Sequence, residues 1–319
     1  MPSFAFKFFK YQKEKLTPES LYGYVVDMSA FFEFISDKNH YSIKDMTMKD
    51  FESISEDDIE EYLIESETCN YYGEIRNRSI AAIRRRYAVL HTFYMFYYTN
   101  DLIKSIPILK VNQPKQPKLR TSVPSQEDAI ELIRFIETGS LPTSRAAAYQ
   151  ESVRVRDTAL AVLLICVGLK ASECVNLNIT DLHLEESYIT IKNKKRSKDI
   201  YISNQTTFYL SRYLEKRLYK VPEYGHYDAF FLSLQGKRLS MDAVEDLIRK
   251  YSTALFGPDC KYAPKDYNML FRENIFYSSK NIYTTAEFTR CHPYTIFNNF
   301  KADAIEFENN KSENIIIYD

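Results

Sequence analysis

Residues 154–182 read RVRDTALAVLLICVGLKASECVNLNITDL, and the fold turns on how this stretch is parsed. Its centre, ALAVLLICVGL, is eleven apolar or small residues long. A bilayer span needs about 20, so this run predicts a helix buried in a protein core, from about Arg156 to Val167. Gly168 ends that helix, and a second one starts at Ala171 and Ser172. Downstream, YITI (188–191) and DIYI (199–202) alternate as strands, with Lys192, Lys194, Lys195, Arg196 and Lys198 in and around the turn between them. Further helices are expected over 205–219, 240–251 and 267–278. Upstream, Ser125 and Asp128 make a capping-box-like helix start.

Still further upstream, residues 108–123 read ILKVNQPKQPKLRTSV, rich in proline and lysine and without a helical period. They predict an extended basic linker. The chain before it is helical. Thr17-Pro18 starts a helix whose Leu21, Tyr24, Val25, Met28, Phe31, Phe32 and Ile35 recur three and four apart. Ser55 can cap a second, acidic helix over 56–65. A third runs over 79–98, with Ile80, Ile83, Tyr87, Leu90 and Tyr94 facing a core and Arg78, Arg84, Arg85 and His91 on the other side. The expected organisation is a helical domain (1–107), a basic linker (108–123) and a mixed domain (124–319) ending in a tail. The fold class is mainly α with one small β-hairpin.

The 319 residues are 45% hydrophobic and 27% charged, an ordinary composition for a globular protein of two domains. The amino terminus lacks an apolar core with a small-residue cleavage site, so no secretory signal is expected. Five cysteines, an odd number without CxxC spacing, point to reduced thiols in a cytosol and not to disulfides or zinc. With seven glycines and no glycine-rich phosphate loop, metal-ligand cluster or Ser-His-Asp set, no cofactor is expected. Net charge is −1, yet the charges are segregated. Glu52, Glu56, Asp57, Asp58, Glu60, Glu61 and Glu65 crowd one segment. Arg76, Arg78, Arg84, Arg85, Arg86, Lys104, Lys110, Lys115, Lys118 and Arg120 follow, opposed only by Asp101. Such segregation gives either solvated patches or a basic face suited to phosphate.

Taken in order, these segments resemble the tyrosine recombinases, in the phage-integrase and Xer-type branch. GLKASE (168–173) is similar to the family's G-L-R-x-S-E, and the strand–turn–strand at 189–203 to the segment carrying its catalytic lysine. KRLSMDAV (237–244) resembles the start of its next helix. SLYGYVVDMSAFFEFI and IRRRYAVLHTFYMFYY resemble helices of its core-binding domain. The resemblance implies a two-domain integrase fold and a chemistry in which a tyrosine hydroxyl attacks a phosphodiester. Two arginines and a histidine bind the non-bridging oxygens, and a lysine protonates the leaving oxygen.

Matched position by position, the chain departs from that set. Lys170 stands at the first arginine, which keeps the charge but loses the bidentate fork. The hairpin lysine is Lys194 or Lys195. The family's P-H-x-L-R-H aligns with PKDYNM (264–269), placing Lys265 at the histidine and Asn268 at the second arginine. A shifted alignment would put Arg272 there. Of the late L-G-H motif, Arg290-Cys291-His292 keeps only the histidine, and His292 reads as a core or fold residue. The nucleophile falls at Phe300 or Lys301, and no tyrosine lies between Tyr294 and Tyr318. Phenylalanine has no hydroxyl to form a phosphotyrosine.

The expectation is therefore a protein without the cutting chemistry that binds operator sites in double-stranded DNA. It would be a transcriptional repressor of the kind the integrase-like master repressors of SPβ-type Bacillus prophages represent, maintaining lysogeny in the host cytoplasm. Expected DNA contacts are Arg78, Arg84, Arg85, Arg86, Lys115, Lys118, Arg120, Lys170, Lys194, Lys195, Arg196, Lys198 and Lys265, with the 79–98 helix in the major groove. The alternatives are a divergent active recombinase and a non-catalytic recombination accessory factor. Ile315, Ile316, Ile317 and Tyr318 have strand character and would serve either self-association or a strand within the chain. The acidic 45–67 segment would bind an antirepressor or solvate a helix.

Overall fold

A computed structural model describes residues 1–71, 74–115, 123–193, 196–301 and 303–304; of Asn70, Tyr71, Asn193 and Arg196 it describes the backbone only. The chain divides into two compact units, Met1–Leu119 and Arg120–Asp319. Among the described residues no helix is long and apolar enough to cross a membrane.

The first unit contains α1 (Ala5–Lys13), α2 (Pro18–Lys38), α3 (Met48–Glu52), α4 (Glu56–Glu65), the strands β1 (Thr68–Tyr71) and β2 (Glu74–Asn77), and α5 (Ile80–Thr99). Thr17, Ser55 and Ser79 cap α2, α4 and α5 through their hydroxyls, and Asp58 closes a capping box at α4. The core is aromatic. Phe8, Phe31, Phe32, Phe51, Phe93, Tyr94 and Tyr97 are fully buried. The Phe51 and Tyr94 rings stack 4.5 Å apart, and Phe8 meets Phe93 edge-on at 4.8 Å.

Three expectations need correction here. The antiparallel β1–β2 hairpin, with Cys69 opposite Arg76, was read as part of an all-helical segment. Ile80, placed on the core stripe of α5, is 37% exposed because it is the first residue of the helix. The 108–123 linker does not begin at Ile108. Pro107–Leu109 forms a 3-10 turn, Ile108 and Val111 are buried in the first unit's core, and the Tyr87 hydroxyl donates to both their carbonyls. A linker residue that buries an apolar side chain gains more from the core than from freedom. Residues 116–122 of the expected linker lie outside the described residues.

The second unit contains α6 (Gln126–Thr138), α7 (Ser144–Ile165), α8 (Ala171–Asn176), β3 (Leu182–His183), β4 (Tyr188–Asn193), β5 (Arg196–Tyr201), α9 (Asn204–Leu218), α10 (Met241–Phe256), α11 (Pro264–Ser279), α12 (Ile282–Thr289) and α13 (Pro293–Asn299). The strands form an antiparallel sheet in the order β3-β4-β5, with Tyr188 opposite Tyr201. The deciding helix is α7, about three turns longer at its start than the apolar run predicts. Residues 157–164 are buried without a break, packed on α6, α8, α9 and α11. Gly168 takes φ +65°, the left-handed conformation that lets the chain turn out of α7 into α8. A Cβ there would lie 2.2 Å from the Phe271 ring.

Candidate nucleic-acid site

The Gly168–Glu173 turn is a meeting point of three elements. Lys170 caps α8: its backbone amide donates to Glu173 Oε2 at 2.9 Å, while its side chain is exposed. From α11, Asn268 is 5% exposed and its Nδ2 donates to the carbonyls of Gly168 (3.2 Å) and Leu169 (2.7 Å). From the turn after α12, Arg290 Nη2 donates to Gly168 O at 2.6 Å and pairs with Glu173 Oε2 at 3.3 Å. The Arg290 and Glu173 side chains are 8% and 6% exposed. Arg290 sits at φ +55°, an uncommon value for a residue with a Cβ. Its Nε is buried without a hydrogen-bond partner, as is that of Arg272, one turn beyond Asn268 on α11.

Of Phe300 and Lys301, the two positions that the sequence offers for the attacking tyrosine, Phe300 is 4% exposed, its ring stacked on Phe276 at 4.4 Å in a small core with Ala286, Ile296 and Ala304, and Lys301 is exposed. His292 is not a core residue. It is exposed and caps α13, its Nδ1 accepting from the Tyr294 amide at 3.2 Å. An imidazole that accepts there does the work of a capping oxygen.

Around the turn, Lys265 at the start of α11 is exposed beside the buried Pro264 and Asp266. Lys198 on β5 is exposed, and its ammonium donates to the Glu287 carbonyl at 2.9 Å, tying the hairpin to α12. Lys192 pairs with the buried Asp181. Lys194, Lys195 and the Arg196 side chain lie outside the described residues, as do Lys118, Arg120 and Ile315, Ile316, Ile317 and Tyr318.

In the first unit, the arginine run of α5 splits three ways. Arg86, expected at DNA, is 8% exposed and belongs to the interior. Its Nη1 donates to Tyr62 Oη (3.1 Å) and Ser66 Oγ (2.8 Å), and Nε lies 3.7 Å from Asp27. The sequence carried the signal: position 86 falls three after Ile83 and four before Leu90, on the apolar stripe. Arg85 is half exposed and reaches Asp27 Oδ1 at 3.0 Å, its guanidinium lying over Gly23, where a side chain would obstruct it. Burial holds the Asp27 carboxyl above the usual range despite Arg85, Arg86 and Arg78 nearby. Arg78 donates to the carbonyls of Ser66 and Thr68, anchoring the hairpin. Arg84, half-buried, has no ion pair among the described residues, and Lys115 is exposed.

Residues 128–255 match the family model described as the phage integrase family. A putative tyrosine recombinase of Caldanaerobacter subterraneus subsp. tengcongensis is 24% identical over 276 residues, 86% of this chain and 84% of that protein. Over residues 128–255 the chain resembles the phage integrase family, and along most of its length it is similar to proteins named tyrosine recombinases. Tyrosine recombinase XerD of Oceanobacillus iheyensis is 23% identical across 70% of this chain and 68% of its own. Among solved structures, the Tn1549 transposon integrase in complex with transposon right end DNA superposes with a TM-score of 0.67 at 13% identity, covering 96% of this chain and 97% of that one. The XerH site-specific recombinase bound to palindromic difH substrate, a post-cleavage complex, gives 0.63 at 15% identity, covering 92% and 79%. These likenesses establish the two-domain tyrosine recombinase fold expected from the sequence. Within that fold, Arg290, read from the sequence only as a departure at the leucine of the late L-G-H motif, proves to be the guanidinium that pairs with Glu173.

Proposed function

We propose that this tyrosine-recombinase-fold chain binds double-stranded DNA sequence-specifically without cutting it, and acts as a transcriptional repressor of the lysogeny-maintaining type in a bacterial cytoplasm. The observation that carries the proposal is Phe300: a position offered for the nucleophile is occupied by a phenyl ring locked against Phe276 inside a core, with no hydroxyl to attack phosphorus. Asn268, spent on the Gly168 and Leu169 carbonyls, has neither charge nor free donor geometry for a phosphoryl oxygen. What remains exposed is suited to phosphate contact: Lys170, Lys265, Lys198 and Lys115. Double-stranded DNA as ligand is supported by the relatives named as recombinases and by the integrase and XerH structures, which are DNA complexes.

The test has two parts. Nicked suicide substrates carrying the bound sequence should give no covalent protein–DNA adduct, and fragments of host and prophage genomes pulled down at physiological salt should share one short motif located at promoters. An adduct mapped to a tyrosine would replace this reading with that of an active recombinase. Arg290, a guanidinium beside Glu173, is the feature that favours this second reading. A single paired site beside a recombinase gene would instead indicate a recombination accessory factor.

A further inference from the structure

The second unit contains a cavity of about 600 Å³ between the first turns of α7, the loop at Ser233 and α10. That volume falls in the range of small-molecule sites. Its walls are apolar at Leu141, Leu234, Leu239 and Leu247, and its polar groups come from α7 (Arg145, Tyr149, Arg156 and Asp157), the loop (Ser233) and α10 (Lys250).

The charges there do not balance. Asp157 is fully buried and wholly committed: Oδ1 accepts from Arg156 Nε (2.8 Å) and Nη2 (2.6 Å), and Oδ2 from the Tyr251 hydroxyl (2.9 Å). Arg156 Nη1 is held by Leu232 O at 2.9 Å. Asp246, the other carboxylate of the lining, pairs with Arg249 at 2.6 Å. Lys250 and Arg145 are left without an ion pair among the described residues. The Lys250 ammonium lies over the faces of Tyr149 (4.8 Å) and Tyr251 (4.4 Å), and burial lowers its pKa against the opposing pull of the Asp157 charge, while Arg145 is exposed at the mouth. The Ser233 hydroxyl, on the same wall, is buried with no hydrogen-bond partner.

We propose that this cavity is a binding site for a small organic anion, a carboxylate or phosphate carried on an apolar or aromatic body, with Lys250 and Arg145 holding the anionic group. The leucine walls take the body, and Tyr149 offers it a ring face. The inference is independent of the DNA-binding reading, since nothing in the cavity requires DNA.

Calorimetric titration of the full chain, with no DNA present, tests it. The probes are 8-anilinonaphthalene-1-sulfonate as a general aromatic anion, then phenylacetate and phenyl phosphate to tell a carboxylate from a phosphate ligand. The expected result is saturable one-to-one binding of the sulfonate and of at least one of the other two. Lys250→Met should weaken it about tenfold or more, the worth of one charge-assisted hydrogen bond. Ala243→Trp, which fills the cavity from α10, should abolish it, and Arg212→Met, whose partner Glu137 lies outside the cavity, should leave it unchanged. Lack of saturable binding by all three probes would overturn the proposal. So would equal affinity in the parent, Lys250→Met and Ala243→Trp proteins.

Discussion

Replacing Arg290 by methionine should unfold the second unit more readily than its place in a surface turn suggests. The side chain is 8% exposed and serves two acceptors, Gly168 O at 2.6 Å and Glu173 Oε2 at 3.3 Å. Methionine matches the stem in length and keeps the left-handed backbone strained, so the substitution isolates the guanidinium. Removing it leaves the buried Glu173 carboxylate with only the Lys170 amide, a loss of about 3–5 kcal/mol for a broken buried pair. Against this, the unpartnered Nε disappears, which returns about 1 kcal/mol. The net expectation is about 2–4 kcal/mol, or roughly 4–16 °C in melting temperature for a unit of this size. The chain has no tryptophan, so differential scanning calorimetry and far-ultraviolet circular dichroism are the assays of choice. Glu173→Gln completes the cycle, with a coupling of about 1–3 kcal/mol expected between the two sites. A loss below about 1 kcal/mol, or strict additivity in the double variant, would refute the idea that Arg290 closes this turn.

Four other outcomes follow from the geometry. Phe300→Tyr should give no covalent adduct on a suicide substrate, because Asn268 and Lys170 offer no paired guanidinium clamp; an adduct would show that the hydroxyl alone was missing. Arg86→Met should destabilise the first unit by about 2–3 kcal/mol by leaving the buried Tyr62 and Ser66 hydroxyls without their donor and Asp27 with Arg85 alone, whereas Lys170→Met should stay within about 0.5 kcal/mol of the parent and weaken DNA binding with a shallower salt dependence; parallel melts and salt titrations separate the two. Gly168→Ala should cost about 2 kcal/mol or more, since φ +65° is strained for alanine and its Cβ would meet the Phe271 ring, and an unchanged melt would contradict this. In acid, the Asp50 carboxyl, held below its usual pKa by the Thr47 hydroxyl and amide, and Glu56, held below by Lys110, both bind protons more weakly folded than unfolded. Their contribution is therefore present above the ordinary carboxylate pKa of about 4 and is lost as pH falls through the lower folded values; Asp50→Asn should shrink the drop in melting temperature across that window.

The sequence by itself marked most of the long helices, the basic hairpin and the resemblance to a family. The apolar run at 159–169 could only be a core helix, the capping hydroxyls of Thr17, Ser55, Ser79 and Ser125 fixed helix starts to within a residue, and the strand alternation at 188–202 placed the hairpin. These signals are local: each depends on a period or on a side chain reaching three residues along its own backbone. The sequence also singled out Lys170, Asn268 and Phe300 or Lys301 as candidate substituted positions, because a motif is matched along the chain. Tertiary structure alone decided what those residues do. Arg86 sits among three arginines that look alike in a list of charges, and only packing distinguished the one buried against Tyr62, Ser66 and Asp27 from the half-exposed Arg85, which also reaches Asp27, and from Arg84. Ile108 and Val111 belong to a stretch whose composition reads as linker, yet Tyr87 and the aromatic core hold them. Arg290 and Glu173 are 117 residues apart, and neither their pairing nor the convergence of Asn268 on Gly168 leaves a trace in local spacing. Burial and long-range hydrogen bonds are set by which faces meet, and that information exists only once the helices have packed.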